Sequence, residues 1–123
     1  MNVVDTSGWL SFFFDEPNAD AFAPLIEDTD TLVVPATCLY EVFKKVLLVA
    51  DEARALKAVA HMRQGRVVPI DEPLCLNAAR LSVAHRLPMA DSLILAVAEG
   101  TGATVWTEDA HFERLAGVRY VAR

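Results

Sequence analysis

Short apolar runs alternate with longer segments of helical periodicity along the chain. The short runs predict strands at 2–4, 31–34, 67–70, 103–106 and 118–121. Apolar spacings of three and four predict helices over 18–28, 71–85, 88–99 and 109–115, and over 37–64 as one helix or as a pair that divides at Asp51. This alternation predicts an α/β fold with three layers, in which helices flank a central parallel sheet of about four or five strands, as in Rossmann-like domains.

Capping and turn residues predict where these elements end. The segment Asp5-Thr6-Ser7-Gly8 is typical of a turn after the first strand, and Thr37 is typical of a helix N-cap. Gly65 is expected to end the second helix of the pair, and the Gly100-Thr101-Gly102 segment to form a turn.

Two aspartates follow predicted strands. Asp5 comes directly after the first strand and Asp109 shortly after the fourth. Sites in parallel sheets form where the carboxyl ends of the strands open, so we expect both side chains at that edge. Capping of a turn or helix is the competing explanation for either residue taken alone.

Asp91 lies in the first turn of a helix whose residues 93–98 are all apolar, which indicates a buried helix. The helix dipole stabilises such a carboxylate by about 0.3–1 kcal/mol, whereas burying it unpaired costs several kcal/mol. Asp91 must therefore reach the surface or meet a cationic group.

Glu41 lies one turn into the helix that follows the second strand. With Thr37 as N-cap, a capping-box glutamate belongs at position 40, which is Tyr40. An ion pair with Lys45, worth about 0.2–0.5 kcal/mol, remains open as an alternative and is compatible with a role in a site.

Asp5, Glu41, Asp91 and Asp109 are thus expected to converge, and such carboxylates repel one another unless a divalent cation lies among them. Oxygen ligands favour Mg²⁺ or Mn²⁺ over zinc, and such a site suits hydrolysis of phosphodiester bonds.

The three histidines are interpreted as ordinary helix or turn residues: His61, His85 and His111. Ser7, Ser11 and Ser92 have no evident histidine partner, so acyl transfer is not supported.

Length and composition restrict the class of protein. The 123 residues suit one domain over 1–123, and the 54% hydrophobic content is compatible with an apolar surface for a partner. No apolar run reaches the roughly 20 residues that span a bilayer, and the first residues lack the basic start of a signal peptide. We therefore expect a cytoplasmic protein with no membrane partner. Cys38 and Cys75 are expected to be buried, reduced thiols.

The charge is uneven. The net charge is −6, and residues 1–40 hold seven acidic and no basic residues, so any nucleic acid must be held by a local patch. The candidates are Lys44, Lys45, Arg54, Lys57, Arg63 and Arg66. For most of them a solvated helix face is the favoured interpretation.

Four segments in order resemble the motifs of the PIN-domain family and, within it, of VapC-type toxins. They are Val3-Val4-Asp5-Thr6-Ser7, Leu39-Tyr40-Glu41-Val42, residues 87–94 around Asp91, and residues 105–112 around Asp109. The resemblance implies RNA cleavage at an acidic metal site and assigns the four acids as metal ligands or as organisers of water. It adds hydroxyl groups from Thr6 or Ser7, and it gives Thr107 a role in orienting Asp109 or a ligand.

The resemblance also implies partners. Many relatives form homodimers and bind a small antitoxin, and the apolar region 37–64 is similar to the face that antitoxins grip, although most of its apolar residues must pack in the core. Two other functions remain open: a PIN nuclease that processes or degrades RNA without an antitoxin, and a catalytically silent PIN fold that acts as a binding module. The presence of all four acids counts against the second.

Overall fold

Five parallel strands form a single sheet in this computed structural model, which describes residues 1–123. The strands are β1 (Asn2–Val4), β2 (Leu32–Pro35), β3 (Arg66–Val68), β4 (Thr104–Thr107) and β5 (Val118–Tyr120). Their order across the sheet is β3-β2-β1-β4-β5, and every neighbouring pair is parallel. The predicted α/β fold is therefore confirmed.

Six α-helices flank this sheet. They are α1 (Thr6–Phe13), α2 (Ala19–Glu27), α3 (Ala36–Val49), α4 (Glu52–Met62), α5 (Glu72–His85) and α6 (Met89–Thr101), and a 3₁₀ turn at Ala110–Phe112 follows β4. The region 37–64 is thus a pair of helices that divides at Asp51, the N-cap of α4. No single helix is long and apolar enough to cross a membrane; only α5 and α6 taken together pass that test, and they are bent by 114°.

The core lies around the central strands and α6. Val3 and Val4 of β1 and Val33 and Val34 of β2 are buried, as expected for parallel strands covered on both faces. Every residue of α6 from Ser92 to Ala98 is also buried. The prediction of a buried helix from the apolar run 93–98 is therefore confirmed. Asp91, which directly precedes the buried residues of α6, lies at the edge of the core.

The predicted turn after β1 is wrong, because α1 begins there. Asp5 is the N-cap of α1 and accepts a hydrogen bond from the Gly8 backbone N–H. A Cβ at Gly8 would lie 2.6 Å from Val4 and 2.7 Å from Phe22, so the missing side chain lets α1 approach β1 and α2 closely. Asp, Ser, Thr and Gly favour both turns and the starts of helices, so the sequence alone does not separate a turn from a helix N-terminus. The close packing of the buried Gly8 against Val4 and Phe22 is what the sequence could not show.

Other expectations at element ends and at one thiol also need correction. The N-cap of α3 is Pro35, not Thr37, whose buried hydroxyl has no hydrogen-bond partner. Strand β3 ends at Val68, because the next residue, Pro69, has no backbone N–H to offer the sheet. Cys38 is buried as expected, but Cys75 is exposed on α5.

Candidate active site

The four predicted acids line one open cavity at the carboxyl edge of the sheet. Asp5 follows β1, Glu41 lies on α3, Asp91 lies in the first turn of α6, and Asp109 follows β4. The cavity has a volume of about 270 Å³, and its wall also includes Thr6 and Ser7. Residues separated by as much as 104 positions thus meet at the edge where parallel strands form sites.

Asp5 is both a helix cap and a wall of this cavity. Its Oδ1 accepts hydrogen bonds from the Ser7 hydroxyl at 2.6 Å and from the Gly8 N–H at 3.2 Å. Burial raises the pKa of Asp5 to about 6, and these hydrogen bonds only partly oppose the effect. Capping and a role in the site, which the sequence left as alternatives, therefore coexist.

Thr107 fixes the end of β4 beneath the site. Its side chain is buried, and its Oγ1 accepts a hydrogen bond from the Asp109 backbone N–H at 2.9 Å. The same oxygen lies 3.4 Å from the Ser7 hydroxyl. Thr107 thus links the segment that carries Asp109 to the start of α1, where Asp5 is the N-cap.

Glu41 is held by α1 rather than by its own helix. The Thr6 hydroxyl donates to Oε1 of Glu41 at 2.6 Å. No ion pair forms between Glu41 and Lys45 in the structure, so the alternative of an i,i+4 pair is not realised.

Asp91 is only partly buried, so it reaches the surface, and beside it lies a histidine that the sequence analysis had set aside. Nδ1 of His111 lies 3.4 Å from Oδ2 of Asp91 and 3.3 Å from Oδ1 of Asp109. Burial and the charge of Asp109 raise the pKa of Asp91, while His111 lowers it. His111 is therefore not an ordinary turn residue. Its position two residues after Asp109 was the one local signal in the sequence, whereas its contact with Asp91 could not be predicted locally.

Glu108 is a second residue that sequence reasoning missed. Its buried carboxylate accepts hydrogen bonds from the Ser11 hydroxyl at 2.6 Å and from the Asn18 amide at 2.8 Å, and Arg123 lies 3.5 Å away. These contacts occupy both of its oxygens. Glu108 thus joins α1 and the start of α2 to the end of β4 and lies on the wall of the same cavity.

The donor set suits a hard divalent cation. The four predicted carboxylates share the cavity with those of Glu16 and Glu108. The raised pKa values of Asp5 and Asp91 include contributions from neighbouring negative charges. A cation among them would offset this repulsion, and carboxylate oxygens are the ligands that Mg²⁺ and Mn²⁺ prefer. Carboxylate oxygens of Asp91 and Asp109 and a ring nitrogen of His111 lie within 4.8 Å of one another, a grouping able to hold one ion.

Comparisons with known proteins bear on the fold. A family model described as PIN domain matches residues 3–118. No curated protein sequence matches the chain significantly.

Three solved structures illustrate the similarity. VapC20 of Mycobacterium tuberculosis, described as a sarcin–ricin loop cleaving toxin, has 18% identity and a TM-score of 0.80 over 100% of this chain and 98% of that one. A toxin–antitoxin complex from Klebsiella pneumoniae contains a chain with 18% identity and a TM-score of 0.77 over 97% and 96%. FitAcB of Neisseria gonorrhoeae has 23% identity and a TM-score of 0.73 over 100% and 97%. At these identities the likeness shows the fold.

Proposed function

This chain belongs to the PIN domain family, and on that basis we propose that it is a divalent-metal-dependent endoribonuclease, the toxin of a VapBC-type toxin–antitoxin pair. One observation carries the proposal: Asp5, Glu41, Asp91 and Asp109 line a single open cavity. A cluster of carboxylates without a matching set of basic residues suits a site built around a cation and a phosphate.

In this proposal the four acids hold Mg²⁺ or Mn²⁺. When bound, such a cation would neutralise phosphate charge and lower the pKa of a water, which would make hydroxide available to attack phosphorus. The hydrogen bonds within the site converge on one oxygen of each of three carboxylates: Oδ1 of Asp5, Oε1 of Glu41 and Oδ1 of Asp109. These bonds orient the carboxylates, and the other oxygen of Asp5 and of Glu41 accepts no hydrogen bond and is available to a cation.

Three hydroxyl groups support this arrangement. Ser7 orients Asp5, Thr6 orients Glu41, and Thr107 holds the backbone of Asp109. Arg123 is the only basic side chain that lines the cavity, where it supplies positive charge for a substrate phosphate. We propose further that residues 1–123 form one PIN domain, since one core cluster of 25 residues extends from Val3 to Phe112.

We place the antitoxin on an apolar groove between the end of α1 and the α3–α4 pair. The groove has a volume of about 570 Å³ and is lined by Phe13, Phe14, Val46, Val49, Ala50, Arg54, Lys57, Ala58 and His61. Next to it, Leu47, Leu48 and Leu56 expose 45%, 77% and 55% of their surface. This much exposed apolar surface supports a protein partner at the region predicted from the sequence.

A second apolar surface supports a homodimer. Val83 of α5 and Met89 of α6 are exposed, and both line an apolar groove of about 400 Å³ between these helices. We propose that this surface joins two copies. Sedimentation of Val83→Asp should then report a monomer at concentrations where the parent chain is a dimer.

The test of the nuclease is cleavage of RNA by purified protein with Mg²⁺ or Mn²⁺. Asp5→Asn, Glu41→Gln and Asp91→Asn should abolish cleavage with the fold intact by circular dichroism, and Asp109→Asn should be milder because an amide oxygen still binds water or a ligand. Asp30→Asn, an exposed acid outside the cavity, is the matched control. Full activity in Asp91→Asn, or in excess chelator, would refute the proposal.

The role as a toxin needs a separate experiment. Expression in cells should arrest growth. We expect a neighbouring gene for a small protein that relieves the arrest when co-expressed and that co-purifies with the chain. Leu48→Asp should weaken that binding. A nuclease that acts without an antitoxin would show RNA cleavage but neither result. Sequencing of RNA ends beside an Asp91→Asn control would identify the substrate.

A further inference from the structure

We propose that His111 is itself a ligand of the cation, and that its ring nitrogen shifts the preference of the site from Mg²⁺ towards Mn²⁺. This inference rests on the proposed metal-dependent function and adds to it a nitrogen donor that the four carboxylates do not provide. His111 lies within the segment 105–112 that resembles the fourth motif, but the resemblance assigns it no role.

The spacing of the donor atoms fits one ion. Ligands about 2.1 Å from an octahedral cation lie about 3 Å apart when adjacent and about 4 Å apart when opposite. Nδ1 of His111 lies 3.3 Å from Asp109 Oδ1 and 3.4 Å from Asp91 Oδ2. Each of the three residues offers one donor atom, and these donor atoms lie within 4.8 Å of one another. Both nitrogen–oxygen distances lie between the adjacent and the opposite spacing, so small adjustments of the ring and of the two carboxylates would bring their donor atoms to coordinating positions.

The local fold holds the backbone of His111 and leaves its ring free to adjust. The His111 N–H donates to Asp109 Oδ1 at 2.9 Å, and the next residue, Phe112, is fully buried. The side chain of His111 is 63% exposed. Coordination requires the neutral imidazole with its proton on Nε2, and solvent can receive that N–H.

The chemistry of the donor predicts the change in preference. Mg²⁺ binds oxygen ligands and keeps much of its water, whereas imidazole nitrogen suits transition metals. A set of carboxylates with one imidazole therefore gains more affinity for Mn²⁺ than for Mg²⁺. A different role is also compatible with the distances: His111 could only hydrogen-bond the two carboxylates and leave when the cation binds.

Pulsed electron paramagnetic resonance of bound Mn²⁺ separates these roles, because a directly bound imidazole gives strong ¹⁴N modulation. Tag-free protein with one equivalent of Mn²⁺ should show it. His111→Ala should lose the modulation but still bind Mn²⁺, with an affinity lower by at least the roughly tenfold that loss of an outer-shell partner causes. The Mg²⁺ affinity should fall much less. His85→Ala, at the exposed end of α5, is the control and should match the parent.

A second variant guards against a loss of affinity that has a structural cause. His111→Asn offers an amide oxygen, so it should recover Mg²⁺ binding while the ¹⁴N modulation and the preference for Mn²⁺ stay lost. Mn²⁺ bound by the parent chain without strong ¹⁴N modulation would overturn the role of His111 and leave the proposed nuclease standing. Absence of Mn²⁺ binding, or binding that Asp91→Asn does not weaken, would overturn both.

Discussion

The Thr6 hydroxyl donates a hydrogen bond to Oε1 of Glu41 at 2.6 Å, across 35 residues of sequence. This bond connects α3 to the first turn of α1, which Asp5 caps. A bond to a charged acceptor is short and strong, so it restricts the rotamers of Glu41. The position of Glu41 in the cavity therefore depends on α1, an element that the sequence pattern did not reveal.

We predict that Thr6→Val lowers kcat/KM for RNA cleavage by about tenfold and stability by about 1 kcal/mol, since Glu41 loses its only hydrogen-bond donor. Thr6→Ser keeps the hydroxyl and should recover most of the activity. Single-turnover cleavage and urea unfolding measure the two effects. Equal activity in Thr6→Val and the parent would show that Glu41 needs no orientation from α1.

Periodicity and strand ends predicted the sheet and the four acids. The apolar run 93–98 identified a buried helix, and the rule for parallel strands brought Asp5 and Asp109 to one edge. These features could be predicted because buried helices and strands show a periodic pattern of apolar residues in the sequence, and because parallel topology fixes where strand ends meet.

Contacts between side chains that are far apart in the sequence produce no such periodic pattern. Nothing local distinguishes Gly8 as a packing glycine from Gly8 as a turn residue, because the difference lies in Phe22 of another helix. His111 and Glu108 were missed for the same reason, since their partners Asp91 and Ser11 are 20 and 97 positions away.

The buried carboxyl of Asp5 makes stability depend on pH in the absence of metal. Burial raises its pKa from 3.8 to about 6, so the native protein binds more protons than the unfolded chain between these values. The contribution of Asp5 to stability therefore falls as pH rises through that window and is constant above it. In chelator, Asp5→Asn should be more stable than the parent at pH 7.5, by about 1–3 kcal/mol.

Urea unfolding at pH 4 and pH 7.5 measures this dependence. At pH 4 the gain from Asp5→Asn should largely vanish, because Asp5 is then protonated in the native state. Asp30→Asn, which changes an exposed carboxylate, should show no comparable gain. A gain in Asp5→Asn that is the same at both pH values would contradict the assignment to ionisation.

Removal of metal should destabilise the protein near neutral pH. A ligand that binds only the native state adds about 2.7 kcal/mol at a concentration one hundred times its Kd, which corresponds to a rise in Tm of roughly 8–14 °C for a domain of this size. Thermal melts in chelator and in excess Mn²⁺ should differ accordingly. Asp91→Asn should shrink the difference. Equal melting temperatures in chelator and in excess Mn²⁺ would count against a metal site.

Glu108 should matter for stability and little for chemistry, although it adjoins Asp109. Its oxygens accept from Ser11 and Asn18, so Glu108→Ala leaves the buried Ser11 hydroxyl without an acceptor, while the Asn18 amide keeps only its bond to the Ala122 carbonyl. The change should cost about 1–3 kcal/mol. The rate of cleavage by the folded protein should change less than threefold under conditions where the variant stays native. Glu113→Ala, at an exposed position, is the control. A total loss of cleavage in a folded Glu108→Ala would instead place Glu108 among the metal ligands.

Gly8→Ala should damage the fold and the site together. The added Cβ would lie 2.6 Å from Val4 and 2.7 Å from Phe22, closer than real contacts allow, and both neighbours are buried. Such overpacking costs about 1–3 kcal/mol and should move the first turn of α1. The Ser7 hydroxyl and the Gly8 N–H of that turn donate the hydrogen bonds that orient Asp5.

The companion change Phe22→Leu separates packing from backbone conformation. Removing part of the ring makes room for the Cβ, so the double variant should be more stable than the sum of the two single changes indicates, by about 0.5–3 kcal/mol. Recovery of cleavage in the double variant would trace the activity loss to displacement of α1. If the effects of the two changes on stability and on cleavage simply add, Gly8 acts through the conformational freedom of its own backbone. The close approach of α1 to β1 would then not be what positions Asp5.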